Sequence, residues 1–212
     1  MRITILTLFP DMMRGILETS IVGKAQKKGA VTVDYVDIRK FATDSYGSVD
    51  DRPYGGGPGM IMKVDVLHAA LKSVVTDDSH VILTAAGGTL FTQKKAREYA
   101  DTRKHLVIIC GHYEGVDARI LKYVHEEISI GEYVLTGGEL PAAVITDAVV
   151  RLLPGTFTKD GVAENETYTK YTKEPPQYTR PAEYDDQSVP EVLMGGDHKK
   201  IEEWKSGQVS QK

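Results

Sequence analysis

Short apolar runs alternate with amphipathic segments over the first three quarters of the chain. The first run, at residues 3–8, is cut off by Pro10 and is shorter than a secretory signal, so it is interpreted as a strand. Several later runs end directly in glycines, which is typical of strands that enter turns. We predict strands at residues 3–8, 31–36, 81–84, 106–110, 128–130 and 133–135.

Helix signals fill the intervals between these strands. Asp11, Thr92 and Asp197 are suitable N-cap residues, and Pro141 suits a first helical turn. This alternation is typical of an α/β fold, so we predict a parallel sheet with helices on both faces. The predicted helices are residues 11–29, 64–73, 92–103, 116–124, 141–153 and 198–205.

The composition fits a soluble globular protein. The 212 residues are 41% hydrophobic and 26% charged, and no apolar run approaches the roughly 20 residues of a membrane span. Cys110 is the single cysteine, which excludes an internal disulfide and a cysteine-based zinc site. The six histidines show no metal-type spacing. We therefore predict a cytoplasmic protein without a membrane segment or a recognisable metal site.

The net charge of −4 argues against a protein that coats nucleic acid through its overall charge. A local basic face remains compatible with this value, and ordinary solvated helix faces are the alternative interpretation. The basic clusters concerned are Lys24, Lys27 and Lys28; Lys94, Lys95 and Arg97; and Lys199 and Lys200.

Glycines follow three of the predicted strands, at residues 87–88, 111–115 and 137–138. The carboxyl ends of strands are where open α/β sheets bind ligands. Glycine turns that converge there would let a small molecule lie against backbone amides and carbonyls. The alternative is that each glycine only makes a tight turn.

Residues 50–60, DDRPYGGGPGM, are the most unusual stretch of the chain. The stretch lacks the Gly-Lys-Ser/Thr ending of a P-loop, and no Gly-x-Gly-x-x-Gly opens a helix elsewhere. An ordinary nucleotide phosphate site is therefore excluded. A hinge and a loop that lies against a ligand both remain open.

Four motifs resemble one known family. They are VDDRPYGGGPGM (49–60), CGHYEGVD (110–117), SIGEYVLTGGELPA (129–142) and YTRP (178–181). In this order they resemble the bacterial tRNA (guanine-N1)-methyltransferases, the TrmD family, and the likeness runs from residue 1 to about 205. The resemblance implies S-adenosylmethionine-dependent methylation of the guanosine just 3′ of the tRNA anticodon.

The resemblance also implies features of the fold that spacing does not show. The family belongs to the SPOUT class, whose cofactor pocket is a deep trefoil knot. It works as a homodimer, with each active site built from both subunits. The knot should hold the cofactor bent, with its methyl group facing the RNA. Carried over by motif, the cofactor-binding residues are Leu83, Thr84, Gly111, Tyr113, Glu114, Ile130, Gly131, Glu132, Tyr133, Val134, Leu135, Gly137 and Gly138.

Methylation of guanine N1 requires a general base, because N1 carries a proton, and a cation to stabilise charge that develops on O6. The family supplies an arginine before a Pro-Gly pair, which is Arg151 here, and an aspartate after the linker. Counting residues without gaps from LLPG (152–155) to YTRP (178–181) places Glu166 at the position of the family's aspartate. Glu166 is therefore the predicted base, and a solvated linker acid in a slow or altered enzyme is the alternative.

The resemblance makes residues 50–60 a substrate loop beside the cofactor pocket. Its glycines would let the backbone approach the target base, while Pro53 and Pro58 limit its freedom. The family is also Mg²⁺-dependent, although no residue pattern identifies a magnesium site here. The predicted substrate-binding residues are Asp50, Arg52, Tyr54, Gly55, Gly56 and Gly57.

Three regions are predicted along the chain. Residues 1–155 form the catalytic domain, 156–188 a polar linker that orders on RNA binding, and 189–212 a short or truncated helical tRNA-binding domain. Residues 170–175 replace an apolar Gly-Leu-Leu run of the family with polar residues, which places RNA affinity in question. Two alternative functions follow: methylation of another RNA position, or a cofactor- and RNA-binding module with little activity.

Overall fold

The computed structural model describes residues 1–157, 167–168 and 174–208. The chain divides into two compact units, Met1–Thr158 and Lys159–Lys212. The strands of the first unit are β1 (Arg2–Thr7), β2 (Thr32–Asp37), β3 (Asp50–Asp51), β4 (Ile61–Met62), β5 (Ser79–Leu90), β6 (His105–Cys110) and β7 (Glu126–Ser129).

A five-stranded sheet is the centre of the first unit. Its order is β2-β1-β6-β5-β7, and every neighbouring pair is parallel. The strand β6 is buried along its whole length, and its residues after His105 are all apolar, as expected for a central parallel strand. The predicted α/β fold with a parallel sheet is confirmed, while the trefoil knot stays a prediction.

Helices cover both faces of this sheet. The side chains of Leu6, Val107 and Ile109 pack in a core that includes Leu67 of a helix and Ile120. The opposite face contacts the helix that begins at Glu139. The helices are α1 (Pro10–Leu17), α2 (Ser20–Lys27), α3 (Val64–Lys72), α4 (Gln93–Thr102) and α5 (Glu139–Val150), with 3₁₀ turns at Ile38–Phe41 and Ala118–Tyr123.

Several element boundaries differ from the prediction. The single helix predicted at 11–29 is two helices, because Ser20 has a φ of 51° at the junction. Residues 116–124 contain a 3₁₀ helix instead of an α-helix. The Thr92 cap is present, since its hydroxyl accepts a hydrogen bond from the N–H of Lys95 at 3.3 Å.

The glycines at 87–88 are not a turn. They lie within β5, whose pairing with β7 shifts register between Thr84 and Thr89. A Cβ at Gly88 would lie 2.6 Å from backbone atoms of Glu127 and Ile128. The glycine is therefore required by the close approach of the neighbouring strand, and the sequence pattern was wrongly interpreted as a strand end.

The second unit contains short elements. Its strands β8 (Glu183–Tyr184) and β9 (Gln187–Ser188) form a hairpin inside the predicted linker. Its helices are α6 (Glu191–Met194) and α7 (His198–Gln208). The Asp197 carboxylate accepts hydrogen bonds from the N–H groups of Lys199 and Lys200, as a capping residue does.

Candidate active site

A cavity of about 380 Å³ lies beside the middle of β5 and the carboxyl ends of β6 and β7. All the predicted cofactor-binding residues except Glu132 line it. The wall combines apolar side chains with exposed backbone, which is the usual character of a small-molecule site. The segments that line the cavity are 83–86, 111–116, 127–131 and 133–138, with Ala118, Leu121 and Pro141.

Gly138 brings the loop before α5 against the end of β6. Its N–H donates a 2.7 Å hydrogen bond to the carbonyl of Gly111. A Cβ at Gly138 would collide with Thr84 Oγ1 and lie 2.7 Å from the Gly111 nitrogen. Only glycine permits this approach, so the three segments that meet here depend on residue 138 for their spacing.

The segment 130–135 is a loop instead of the predicted strand at 133–135. The Ser129 hydroxyl donates to the Gly131 carbonyl at 2.9 Å, and this closes a turn after β7. A Cβ at Gly131 would collide with the ring of Tyr133, so the ring folds back over the glycine. The apolar residues Tyr133 and Val134 are consequently exposed beside the cavity.

The glycine-rich loop joins β3 to β4, which pair antiparallel through Asp50 and Met62. The φ angles of its glycines at 55, 56, 57 and 59 are positive, between 78° and 120°, a region that favours glycine. Tyr54 is fully exposed. The predicted substrate residues of this loop lie outside the cavity lining.

The end of this loop nevertheless contacts the cavity wall. A Cβ at Gly59 would collide with the side chain of Glu114, and the Glu114 N–H donates to the Met60 carbonyl at 3.0 Å. The Met62 N–H donates to the Gly115 carbonyl at 3.0 Å. The glycine-rich loop is therefore anchored to the turn that carries Tyr113 and Glu114.

Arg151 caps the carboxyl end of α5. Its guanidinium carbon lies 5.5 Å from the centre of the Phe157 ring, a cation–π arrangement. Glu166, the predicted base, lies outside the described residues. That Arg151 and Glu166 act together in one active site therefore stays a prediction.

Comparison with known proteins decides the family. The family model described as tRNA (Guanine-1)-methyltransferase TrmD matches residues 1–212. The chain belongs to the TrmD family. The resemblance predicted from the four motifs is confirmed, and this family is of the SPOUT class.

Named relatives agree with the TrmD match. The tRNA (guanine-N(1)-)-methyltransferase of Carboxydothermus hydrogenoformans is 49% identical over 209 residues, covering 98% of this chain and 82% of the relative. That of Syntrophomonas wolfei is 47% identical over 208 residues, covering 98% and 85%. That of Dictyoglomus turgidum is 45% identical over 212 residues, covering 100% and 86%.

The TrmD motif residue Cys110 is a core residue. It is completely buried in β6. Burial, and to a smaller extent the negative charge of Glu139, raise the pKa of its thiol well above the ordinary value. The thiol therefore stays protonated and is unsuited to act as a nucleophile.

Sequence reasoning missed one buried polar group of this TrmD-family site. Glu139 follows the two glycines of the TGGELPA motif and is almost completely buried. Its carboxylate accepts a 2.8 Å hydrogen bond from the hydroxyl of Thr7, 132 positions away. The sequence contains one signal for this residue, a carboxylate at the start of an otherwise largely apolar helix. A buried ionisable group requires a partner, so such a carboxylate indicates a specific polar contact.

The described part of this TrmD-family chain contains neither a metal-binding cluster nor a helix suited to span a membrane. No group of three or more His, Cys, Asp or Glu side chains within residues 1–157, 167–168 and 174–208 is arranged to hold a metal ion. In the same residues, none of the helices has the length and apolar character needed to span a bilayer.

Proposed function

We propose that this chain transfers a methyl group from S-adenosylmethionine to N1 of the guanosine immediately 3′ of the tRNA anticodon, and that it acts in the cytoplasm. The observation that carries the proposal is that motif residues come together around one cavity, in a chain that matches the TrmD family along its whole length. When bound, the cofactor supplies an electrophilic methyl group on a sulfonium.

The cavity fits this cofactor in shape. Gly111, Gly137 and Gly138 line the cavity with backbone, and a Cβ at any of them would press against neighbouring protein atoms and displace the wall. The apolar walls contributed by Leu83, Ile130 and Leu135 suit an adenine ring.

The cavity also fits this cofactor in charge. Among the described lining residues the charged side chains are Glu114 and Glu127, both acids. This charge set suits a cationic ligand and disfavours a nucleotide phosphate.

The proposed catalytic residues are Glu166 and Arg151. Glu166 would remove the N1 proton of guanine, since a carboxylate near its ordinary basicity can act as a general base. Arg151 would hold its positive charge at O6, where negative charge develops. Positioning supplies much of the remaining acceleration, because the methyl carbon and N1 must be in line.

The glycine-rich loop is the proposed contact to the target base. Its anchoring at Glu114 places its end beside the cavity, while its middle is open to solvent. Asp50, Arg52, Tyr54 and Gly55–Gly57 are the residues that would meet the RNA. The loop is therefore proposed to close over the guanosine with its ends already fixed.

We propose a homodimer with each active site at the subunit interface. The helices α1 and α5 contact each other and both expose apolar side chains. Exposed apolar surface of this kind on two adjacent helices is typical of an interaction surface. The residues concerned are Phe9, Met12 and Ile16 on the α1 side and Leu140 and Val144 on α5.

The remaining regions have proposed roles in RNA binding. Residues 156–188 are the proposed interdomain linker, and residues 189–212 the proposed tRNA-binding segment. The aromatic rings of Tyr178 and Trp204 lie 6.3 Å apart in the second unit. Catalysis is also proposed to require Mg²⁺, as the resemblance implies.

Transfer of a labelled methyl group to tRNA transcripts tests the function. We expect label in a transcript with guanosine 3′ of the anticodon, and none when that base alone is changed. Label at another position would instead support a different RNA target. Cofactor binding without transfer, in folded protein with Mg²⁺ present, would support a binding module.

A further inference from the structure

A buried carboxylate lies behind the wall of the cavity. Glu139 is 4% exposed, and its Oε1 accepts the hydrogen bond of the Thr7 hydroxyl. That hydroxyl accepts from the Phe9 N–H at 2.9 Å, so its own proton is directed at Glu139. As the first residue of α5, Glu139 also lies at the positive end of the helix dipole.

A glycine backbone and an imidazole separate this carboxylate from the cavity. Gly137 and His112 both line the cavity. A Cβ at Gly137 would lie 2.5 Å from Glu139 Oε2 and 2.5 Å from His112 Nδ1. The Nδ1 and Oε2 atoms are 3.8 Å apart, and Nδ1 is buried without a hydrogen-bond partner among the described residues. The carboxylate therefore lies directly behind two residues of the cavity wall.

Burial makes Glu139 different from the two acids that line the cavity. Glu114 and Glu127 are exposed, so water and salt weaken their field. Glu139 acts through protein, where the effective dielectric constant is lower and charges interact more strongly. Its interaction with a bound cation should therefore be screened less by salt than theirs.

We propose that Glu139 is the buried counter-charge that makes the cavity prefer the cationic methyl donor to the neutral thioether left after transfer. The inference rests on the proposed function, in which S-adenosylmethionine occupies this cavity. In methyl transfer guanine N1 forms a bond to the methyl carbon while the bond from that carbon to sulfur breaks. The electron pair of the broken bond stays on sulfur, so the sulfonium becomes the uncharged thioether of S-adenosylhomocysteine. The attraction to Glu139 is lost in the same step, so Glu139 favours exchange of spent cofactor for fresh donor.

Calorimetric binding of the two ligands tests the charge. The measured quantity is the Kd of S-adenosylhomocysteine divided by the Kd of S-adenosylmethionine. In Glu139→Gln we expect this ratio to fall about 10-fold, which corresponds to a difference of about 1.4 kcal/mol between the binding free energies of the two ligands. In Glu139→Asp, which keeps the charge, it should stay within about 2-fold of the wild-type ratio even if both ligands bind more weakly.

The control is Glu18→Gln, which removes the same charge from a half-exposed side chain at the end of α1. Its ratio should match the wild-type ratio. An unchanged ratio in folded Glu139→Gln overturns the inference while leaving the proposed function intact. Wild-type protein that binds neither ligand overturns the proposed function, and this inference with it.

A measurement on the wild-type protein does not depend on the folding of any variant. A buried charge is screened much less by salt than an exposed one. We expect the binding ratio to be the same at about 0.05 M and about 0.5 M salt. A ratio that falls as salt rises would assign the preference to Glu114 and Glu127, and would overturn the role of Glu139.

Discussion

The hydroxyl of Thr7 donates a 2.8 Å hydrogen bond to the carboxylate of Glu139, and both residues are buried. The bond joins the end of β1 to the first turn of α5. Gly137 and Gly138 directly precede α5, so the same hydrogen bond also fixes the position of these two cavity glycines. One interaction between distant parts of the chain therefore stabilises the fold and the cavity together.

Thr7→Val should destabilise the protein by about 1–3 kcal/mol, the cost of leaving buried groups without their partner. Valine keeps the shape of threonine but removes the donor to Glu139 and the acceptor for the Phe9 N–H. Urea unfolding measures the change. Thr7→Ser keeps the hydroxyl and should lose less than the valine variant. A larger loss in the serine variant than in the valine variant would mean that the methyl group, and not the hydrogen bond, provides the stability.

Gly138→Ala should weaken cofactor binding at least about 10-fold, because a shift of about 1 Å in a positioned site is costly. The added Cβ would meet Thr84 Oγ1 and the Gly111 backbone, so the wall must move. Calorimetry with S-adenosylmethionine measures this. The matched control is Gly87→Ala, since a Cβ there has no neighbour within 4 Å. Similar affinity in the two variants would contradict the cradle.

Acid should destabilise the fold through His80 and Glu126, which are 2.8 Å apart. Burial, partly offset by the hydrogen bond to Glu126, holds the pKa of His80 below its ordinary 6.5. The folded state therefore resists protonation, and stability falls as the pH drops below about 6.5. Burial alone would raise the pKa of Glu126 above 4.5, but hydrogen bonds from Lys95 and His80 lower it. Its contribution is therefore lost as the pH falls below about 4.5.

Urea unfolding between pH 3 and pH 8 measures both steps. Glu126→Gln should cost about 2 kcal/mol at neutral pH, because it removes the charge that Lys95 and His80 contact. The variant should also lack the loss of stability below about pH 4.5. Glu98→Gln is the control, since that side chain is 42% exposed and should cost less than about 1 kcal/mol. A Glu126→Gln profile parallel to the wild-type profile would exclude this carboxylate as the source.

The centre of the sheet was predictable because its strands are buried on both faces and are largely apolar in sequence. Residues 106–110 illustrate this, since each of them is buried in β6. The glycines were harder to interpret, because a glycine in a turn and one that lies against another backbone look alike in sequence. Gly88 is needed because its backbone lies against Glu127, and Gly138 because its backbone lies against Thr84 and Gly111. These partners are far away along the chain, so the local spacing of residues does not reveal the contacts. For the same reason the pairing of Thr7 with Glu139 was not foreseen.

Glu166→Gln should lower kcat about 100- to 10,000-fold, the usual contribution of a general base. Cofactor affinity should be unchanged, because the proposed role is confined to the proton on guanine N1. Glu166→Asp restores the residue type of the family and should retain activity. Single-turnover methylation of tRNA and calorimetry separate the two quantities. Glu164→Gln, two positions away, is the control, and an equal loss in both variants would remove Glu166 as the base.

Val144→Glu should separate the proposed homodimer. Val144 is 48% exposed on α5, and a charge buried there against a second chain would lack a partner. We expect sedimentation to show two chains per particle in the wild type and one in the variant, with the dimer Kd raised at least about 100-fold. Val75→Glu is the matched control, because Val75 is similarly exposed but follows α3. If the active site contains residues of both subunits, the monomeric variant should also lose methyl transfer. A monomeric variant with full activity would leave each chain with a complete site of its own, contrary to the shared site.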